Sequence, residues 1–152
     1  MKRLFLFFAA CLMVTCQPSV WAQPSASPLE RWVGSYPSER LGPQHESIWR
    51  TALLQLRLKA TLPATEYHRL QRFKVESKIE KIQGFLVIHS CMAHECNSDL
   101  ATLFFDIDQN KLWVAMAQRD DRRLSVRWYS SGDSYARIPV EIQRRFTERL
   151  GS

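Results

Sequence analysis

Apolar positions along this chain change their period twice, and each change marks a new kind of element. From Gln44, Ile48, Ala52 and Leu56 recur every four residues with Trp49 and Leu53 beside them. That spacing predicts a helix running to about Thr61, since Pro63 cannot continue it. A shorter helical turn is expected around Trp32, within Leu29–Tyr36. Beyond Arg69 the period becomes two: Phe73, Val75 and Ile79 alternate with Lys74, Glu76, Lys78 and Glu80, as in a half-buried strand. Gln83–Gly84 supplies a turn, and further strands are read at Phe85–Ser90, Ala101–Ile107, Lys111–Gln118 and Leu124–Tyr129. Gly132–Asp133 ends the run, and Pro139–Leu150 reads as an amphipathic helix carrying Val140, Ile142, Phe146 and Leu150. Strands joined by such short turns are antiparallel, because a parallel crossover needs a dozen residues or more. The fold expected is α+β, a five-stranded antiparallel meander flanked by N-terminal and C-terminal helices.

The amino-terminal stretch has a different character. Lys2 and Arg3 precede an unbroken apolar run of eleven residues, Leu4–Val14. A membrane-spanning helix needs about 20 such residues, so the run predicts a secretory signal rather than a lasting membrane anchor. Cleavage is expected after Ala22, in Val20-Trp21-Ala22. Cys16, just past the run, offers a lipoprotein alternative that β-branched Thr15 and the unusual entry residue Met13 disfavour. The expected organisation is a signal peptide over 1–22, a lead-in with a short helical turn over 23–43, and one α+β domain over 44–152. Gln23–Pro28, rich in Pro, Ser and Ala, is the flexible part of that lead-in. The expected location is the periplasm, with release to the medium as the alternative.

Cleavage changes the charge and the cysteine count. Losing Lys2 and Arg3 lowers the basic residues from 21 to 19 against 15 acids, so the net charge falls from +6 to +4. That charge is scattered. The run Arg119–Arg123 mixes signs and reads as a solvated turn, whereas nucleic-acid binding would cluster Lys and Arg on one face. Cys11 and Cys16 depart with the signal, which leaves Cys91 and Cys96 as the only pair. In an oxidising compartment such a pair is expected to form a disulfide. The entropic gain from so short a ring is only about 2 kcal/mol. Shape is its larger contribution, because it limits the conformations of His94 between the two cysteines.

Two uses of this loop remain open on spacing alone, fastening of a strand connection and recognition of a partner. A third is metal binding. His89, Cys91, His94 and Cys96 could together hold zinc or copper, although thiolate ligation competes with disulfide formation after export. Asp106-x-Asp108-x-Asn110 begins like a calcium loop, but Lys111 stands where glycine is needed and no closing glutamate follows. His45 and His68 have no spaced partner, and Trp113, Trp128 and Tyr129 fall in strands as packing residues. No nucleophile, base and orienter assemble from the sequence, so no enzyme and no cofactor are expected.

Cys91-Met92-Ala93-His94-Glu95-Cys96, following a hairpin whose second strand is Gly84–Ser90, resembles the motif Cys-x-x-His-[Asp/Glu]-Cys of the bacterial inhibitors of vertebrate lysozyme, the Ivy type. The likeness of pattern extends from Trp49 to about Pro139. Members usually carry lysine and proline before the histidine, where this chain has Met92 and Ala93, and aspartate is common where it has Glu95. The resemblance implies a disulfide-closed, protruding loop of Met92, Ala93, His94 and Glu95 that enters the catalytic cleft of c-type lysozyme. Lysozyme of that type cleaves glycan with two carboxylates, and His94 would plug the space between them. The implied partner is c-type lysozyme or a related peptidoglycan-cleaving enzyme, and a homodimer is left open. The alternative partner is an endogenous cell-wall lytic enzyme of the same bacterium.

Overall fold

The alternating segments pair antiparallel in chain order, as their short connections require. The computed structural model describes residues 27–120, 123–131 and 138–151. The expected signal peptide, Gln23–Ala26 of the lead-in and the Gly132–Asp133 break lie outside the described residues. One sheet holds six strands: β1 (Val75–Glu76), β2 (Glu80–Ile82), β3 (Phe85–Cys91), β4 (Asp99–Asp106), β5 (Lys111–Asp120) and β6 (Arg123–Ser130). β3, β4, β5 and β6 follow one another across it, and β1 and β2 both pair with β3.

Six strands appear where five are expected because the first one divides. Val75 pairs with Cys91 and Glu76 with Ser90, whereas Glu80 pairs with Val87. Residues 77–79 therefore oppose only two residues of β3, which is a one-residue bulge. Within the bulge Ile79 turns its backbone to the amino-terminal segment, accepting from Gly34 N–H at 2.8 Å and donating to Ser35 C=O at 2.9 Å. A one-residue slip moves side chains to the opposite face. Phe73 and Ile79 are buried as the alternation predicts, but Val75 is exposed, which corrects its place in the inner row.

The tight turn between β2 and β3 has both central residues at positive φ, Gln83 at 48° and Gly84 at 85°, the signature of a type I′ hairpin. Glutamine tolerates that region less well than asparagine. Gln83→Asn is expected to raise stability by about 0.5–1 kcal/mol, measured by urea unfolding, with Gln83→Val moving it the other way. At the next hairpin the apparent calcium motif is a turn. Asp106 Oδ1 accepts from the backbone N–H groups of Asp108 at 3.0 Å and Gln109 at 2.8 Å, and Asn110 takes φ 54°.

Three α-helices accompany the sheet: α1 (Ala52–Thr61), α2 (Ala64–Leu70) and α3 (Val140–Gly151). The expected helix from Gln44 begins only at Ala52. Ile48–Arg50 is a single 3-10 turn, and Thr51 is extended at φ −62°, ψ 133°. That break resets the helical phase, so Leu54 and Leu58 are buried while Leu56 is exposed. Leucines at 53, 54, 56 and 58 offer apolar residues in several phases, which makes the facing side hard to read from spacing. Pro63 ends α1 and also precedes α2, where proline's fixed φ suits a helix start. The sequence reading assigns no helix there.

Core residues cover both sides of the sheet. On one side Leu86, Ile88, Leu103, Phe105, Val114 and Met116 pack with Leu54 and Leu58 of α1 and with Leu29 and Trp32. The domain core thus draws on residues upstream of Gln44. On the other side Val87, Phe104, Trp113 and Ala115 pack with Ile142 and Phe146 of α3, while Val140 at its start is exposed. β4 is consequently buried on both faces. Among the described residues no helix is long and apolar enough to cross a membrane.

Candidate functional site

The loop joining β3 to β4 begins where the sheet stops supplying hydrogen-bond partners. Cys91, the last residue of β3, is buried, and its disulfide to exposed Cys96 brings their Cα atoms to 4.9 Å. Between them the Glu95 N–H donates to Met92 C=O at 3.0 Å, closing a four-residue turn. His94 is the third residue of that turn and has φ 66°. Turns of type II need a positive φ at this position, and histidine is among the non-glycine residues that adopt it most readily. Ala93, His94 and Glu95 are exposed, whereas Met92 is half-buried and packs against the core on the α1 side. Three of the four expected loop residues are therefore available to a partner.

The base of the loop is bonded on every side. Met92 N–H donates to Asp99 C=O at 3.0 Å, and Asp99 N–H donates to Glu95 C=O at 2.7 Å. Arg119, at the end of β5, donates its backbone N–H to Ser98 C=O at 2.6 Å and its Nε–H to Asn97 C=O at 3.3 Å. On the opposite flank Lys74 N–H donates to Cys91 C=O at 3.1 Å. Lys74, Arg72 and Arg119 are all exposed.

Beneath the loop lies an ionic cluster that the sequence reading does not contain. Arg69 of α2 meets Asp99 at 2.5 Å and Glu66 at 3.4 Å, and Arg127 of β6 meets Glu66 at 3.0 Å. Both Arg69 and Glu66 are buried. A trace of it is present in the sequence, an acid and a base three residues apart in the short segment after Pro63.

Tyr129 joins this cluster. Burial, followed by the neighbouring Glu66 carboxylate, pushes its phenol above the ordinary tyrosine range. A raised folded-state value means that the stabilisation is complete below the unfolded tyrosine value of about 10 and is lost as pH rises through the folded one. Stability should therefore decline on the alkaline side, and Tyr129→Phe should flatten that decline in melts taken at increasing pH. An unchanged alkaline slope in the variant would contradict the assignment.

The expected strand position of His89 is found. It lies on β3, with Nδ1 2.9 Å from Thr102 Oγ1 on β4. Cys91 and Cys96 have their sulfurs bonded to each other, so they are not available as thiolate ligands beside His89 and His94. Among the described residues no group of three or more His, Cys, Asp or Glu is placed to hold a metal ion. His45 and His68 are exposed and distant in sequence from the loop.

A family model described as inhibitor of vertebrate lysozyme matches residues 54–152, about two thirds of the chain, and includes the whole loop. The chain belongs to the Ivy family. Ivy is a family of inhibitors and not of enzymes. The match begins within α1 and covers α2, every strand and α3. Neither the curated proteins nor the solved structures yield a significant match to this chain.

Proposed function

We propose that this chain is an exported inhibitor that blocks a c-type lysozyme, or a related peptidoglycan-cleaving enzyme, by seating the His94 loop in its catalytic cleft. The carrying observation is the exposed His94 on a turn whose flanking residues, Cys91 and Cys96, are covalently joined. A stiff loop loses little conformational freedom on entering a concave site. Retaining glycosidases place their two carboxyl groups about 5–5.5 Å apart. An imidazole can hydrogen-bond to both through its two ring nitrogens, and as imidazolium it donates from both. Substrate is then excluded without any bond being made or broken. Glu95, beside His94, would meet basic groups at the cleft rim. Since the target acts on the cell wall, this reading puts the chain in the periplasm, with release to the medium as the alternative.

Purified residues 23–152 mixed with a c-type lysozyme should slow lysis of cell-wall substrate in proportion to inhibitor concentration. Undiminished lysis by vertebrate c-type lysozymes and by endogenous lytic enzymes alike would overturn the proposal. Slowing of the endogenous enzymes alone would reassign the target.

Ala93 precedes His94 at the second position of the turn, which proline favours in type II geometry. Ala93→Pro is therefore expected to strengthen inhibition about two- to fivefold, as a restriction worth about 0.4–1 kcal/mol in the free loop would. The inhibition constant of the variant checks this; weaker inhibition would mean that the turn opens on binding.

A further inference from the structure

The disulfide holds only one side of the loop. It joins Cys91 to Cys96, but the chain must still pass through Asn97 and Ser98 before β4 begins at Asp99. Asp99 is the hinge of that return. Its carbonyl accepts from Met92 N–H and its own N–H donates to Glu95 C=O, so the backbone of one residue fixes both ends of the His94 turn. Its carboxylate points inward to Arg69, 30 residues away in sequence, at 2.5 Å, with side-chain exposures of 13% and 10%.

We infer that Arg69 is a positioning residue for the inhibitory loop, acting through Asp99 as a second clamp beside the disulfide. The inference rests on the inhibitor reading for its purpose, though not for its physics. One guanidinium reaches two carboxylates, with Nη2 on Asp99 and Nη1 on Glu66. A planar fork fixes the directions of the two bonds relative to each other, whereas the ammonium of lysine is a compact point charge that imposes no such geometry. Glu66 is in turn held by Arg127 from β6. Breaking a buried pair from one side leaves the other charge uncompensated, so Asp99 has a strong reason to stay where Arg69 is. α2 thus serves as a buttress behind the loop.

The test must separate loop geometry from general stability and from the choice of target. In reduced protein, the effective concentration of the Cys91 thiol toward Cys96 reports how closely the loop's ends are held, with no lysozyme present. It is measured from the equilibrium with dithiothreitol. Arg69→Lys and Asp99→Asn are expected to lower it about tenfold, as a loss of about 1.4 kcal/mol in loop ordering would. Both variants should also weaken inhibition severalfold when oxidised, and far more when reduced, because the two clamps then fail together. Leu54→Ala, which loosens the core under α1, serves as the stability control and should leave the thiol equilibrium unchanged. Should Asp99→Asn fail to fold, the Arg69→Lys variant keeps the measurement accessible. An unchanged effective concentration in both Arg69→Lys and Asp99→Asn would overturn the proposal. A lowered value accompanied by no inhibition of any lysozyme would keep the clamp and overturn only the inhibitor reading.

Discussion

His94→Ala is expected to weaken inhibition by roughly a hundredfold while leaving the melting temperature almost unmoved. Few residues dominate a protein interface, and truncating a central, fully desolvated one costs about 2–4 kcal/mol. Between the two cysteines, His94 is the residue whose side chain can both donate and accept at the end of a rigid turn. Ala93 has no polar side-chain atom, Glu95 has the wrong charge for a pair of carboxylates, and Met92 is turned inward. Stability should hardly change because His94 is exposed and adopts a positive φ that contributes nothing to the core. Alanine at φ 66° will be slightly strained, so His94→Gly makes the better-matched control and should lose inhibition equally. Inhibition constants and thermal melts for both variants decide the matter. Retained inhibition in both would remove the imidazole from the mechanism even if the protein inhibits.

Much of the sheet was legible because strand alternation is a local signal. β3, β4 and β5 fall within two residues of their expected ends, and residues 107–110 form a turn between β4 and β5, whereas Arg119 and Asp120 of the expected solvated turn lie in β5 and Arg123 begins β6. The misreading of the first strand comes from the influence of distant backbone. Nothing near Val75 announces that Ile79 will bond to Gly34 and Ser35, yet that pairing creates the bulge and turns Val75 outward. The leucine-rich segment of α1 failed differently. Its helical period was clear, but its phase was set by the extended Thr51, which spacing cannot reveal.

The candidate site divides along the same line. Cys91, His94 and Cys96 lie within six residues, so their association needs no tertiary information. Arg69, Asp99 and Arg127 are far apart in the chain and converge only through the sheet and α2. A helix of seven residues carries too little periodicity to be separated from the loop after Pro63. The exposed tip of the site could be read from the sequence, and the machinery behind it could not.

Phe104→Ala is expected to have the largest effect on stability, about 3–5 kcal/mol, and to leave the His94 loop intact in the molecules that remain folded. Phe104 is only 1% exposed, on the side of β4 that faces α3. Its ring stacks on Trp128 at 5.9 Å and meets Phe146 edge-on at 6.5 Å, while Trp128 meets Phe146 at 5.2 Å. Removing it opens a cavity between two rigid rings and the central strand, where relaxation is limited. Against a total stability of about 5–15 kcal/mol that is a large share, and the melting temperature should fall by roughly 10–20 °C. A fall of less than about 3 °C would mean that α3 is not packed on the sheet through this aromatic cluster. The loop should be largely spared because its ionic support comes from α2, whose Leu70 packs on the opposite side of the sheet, although Cys91 shares the buried cluster that holds Phe104. Inhibition per folded molecule, measured below the transition, should therefore match wild type. In Arg69→Lys the balance should reverse, with a smaller loss of stability and a larger loss of inhibition. That opposite pairing of effects would separate the side of the sheet that carries the fold from the end for which inhibition is proposed.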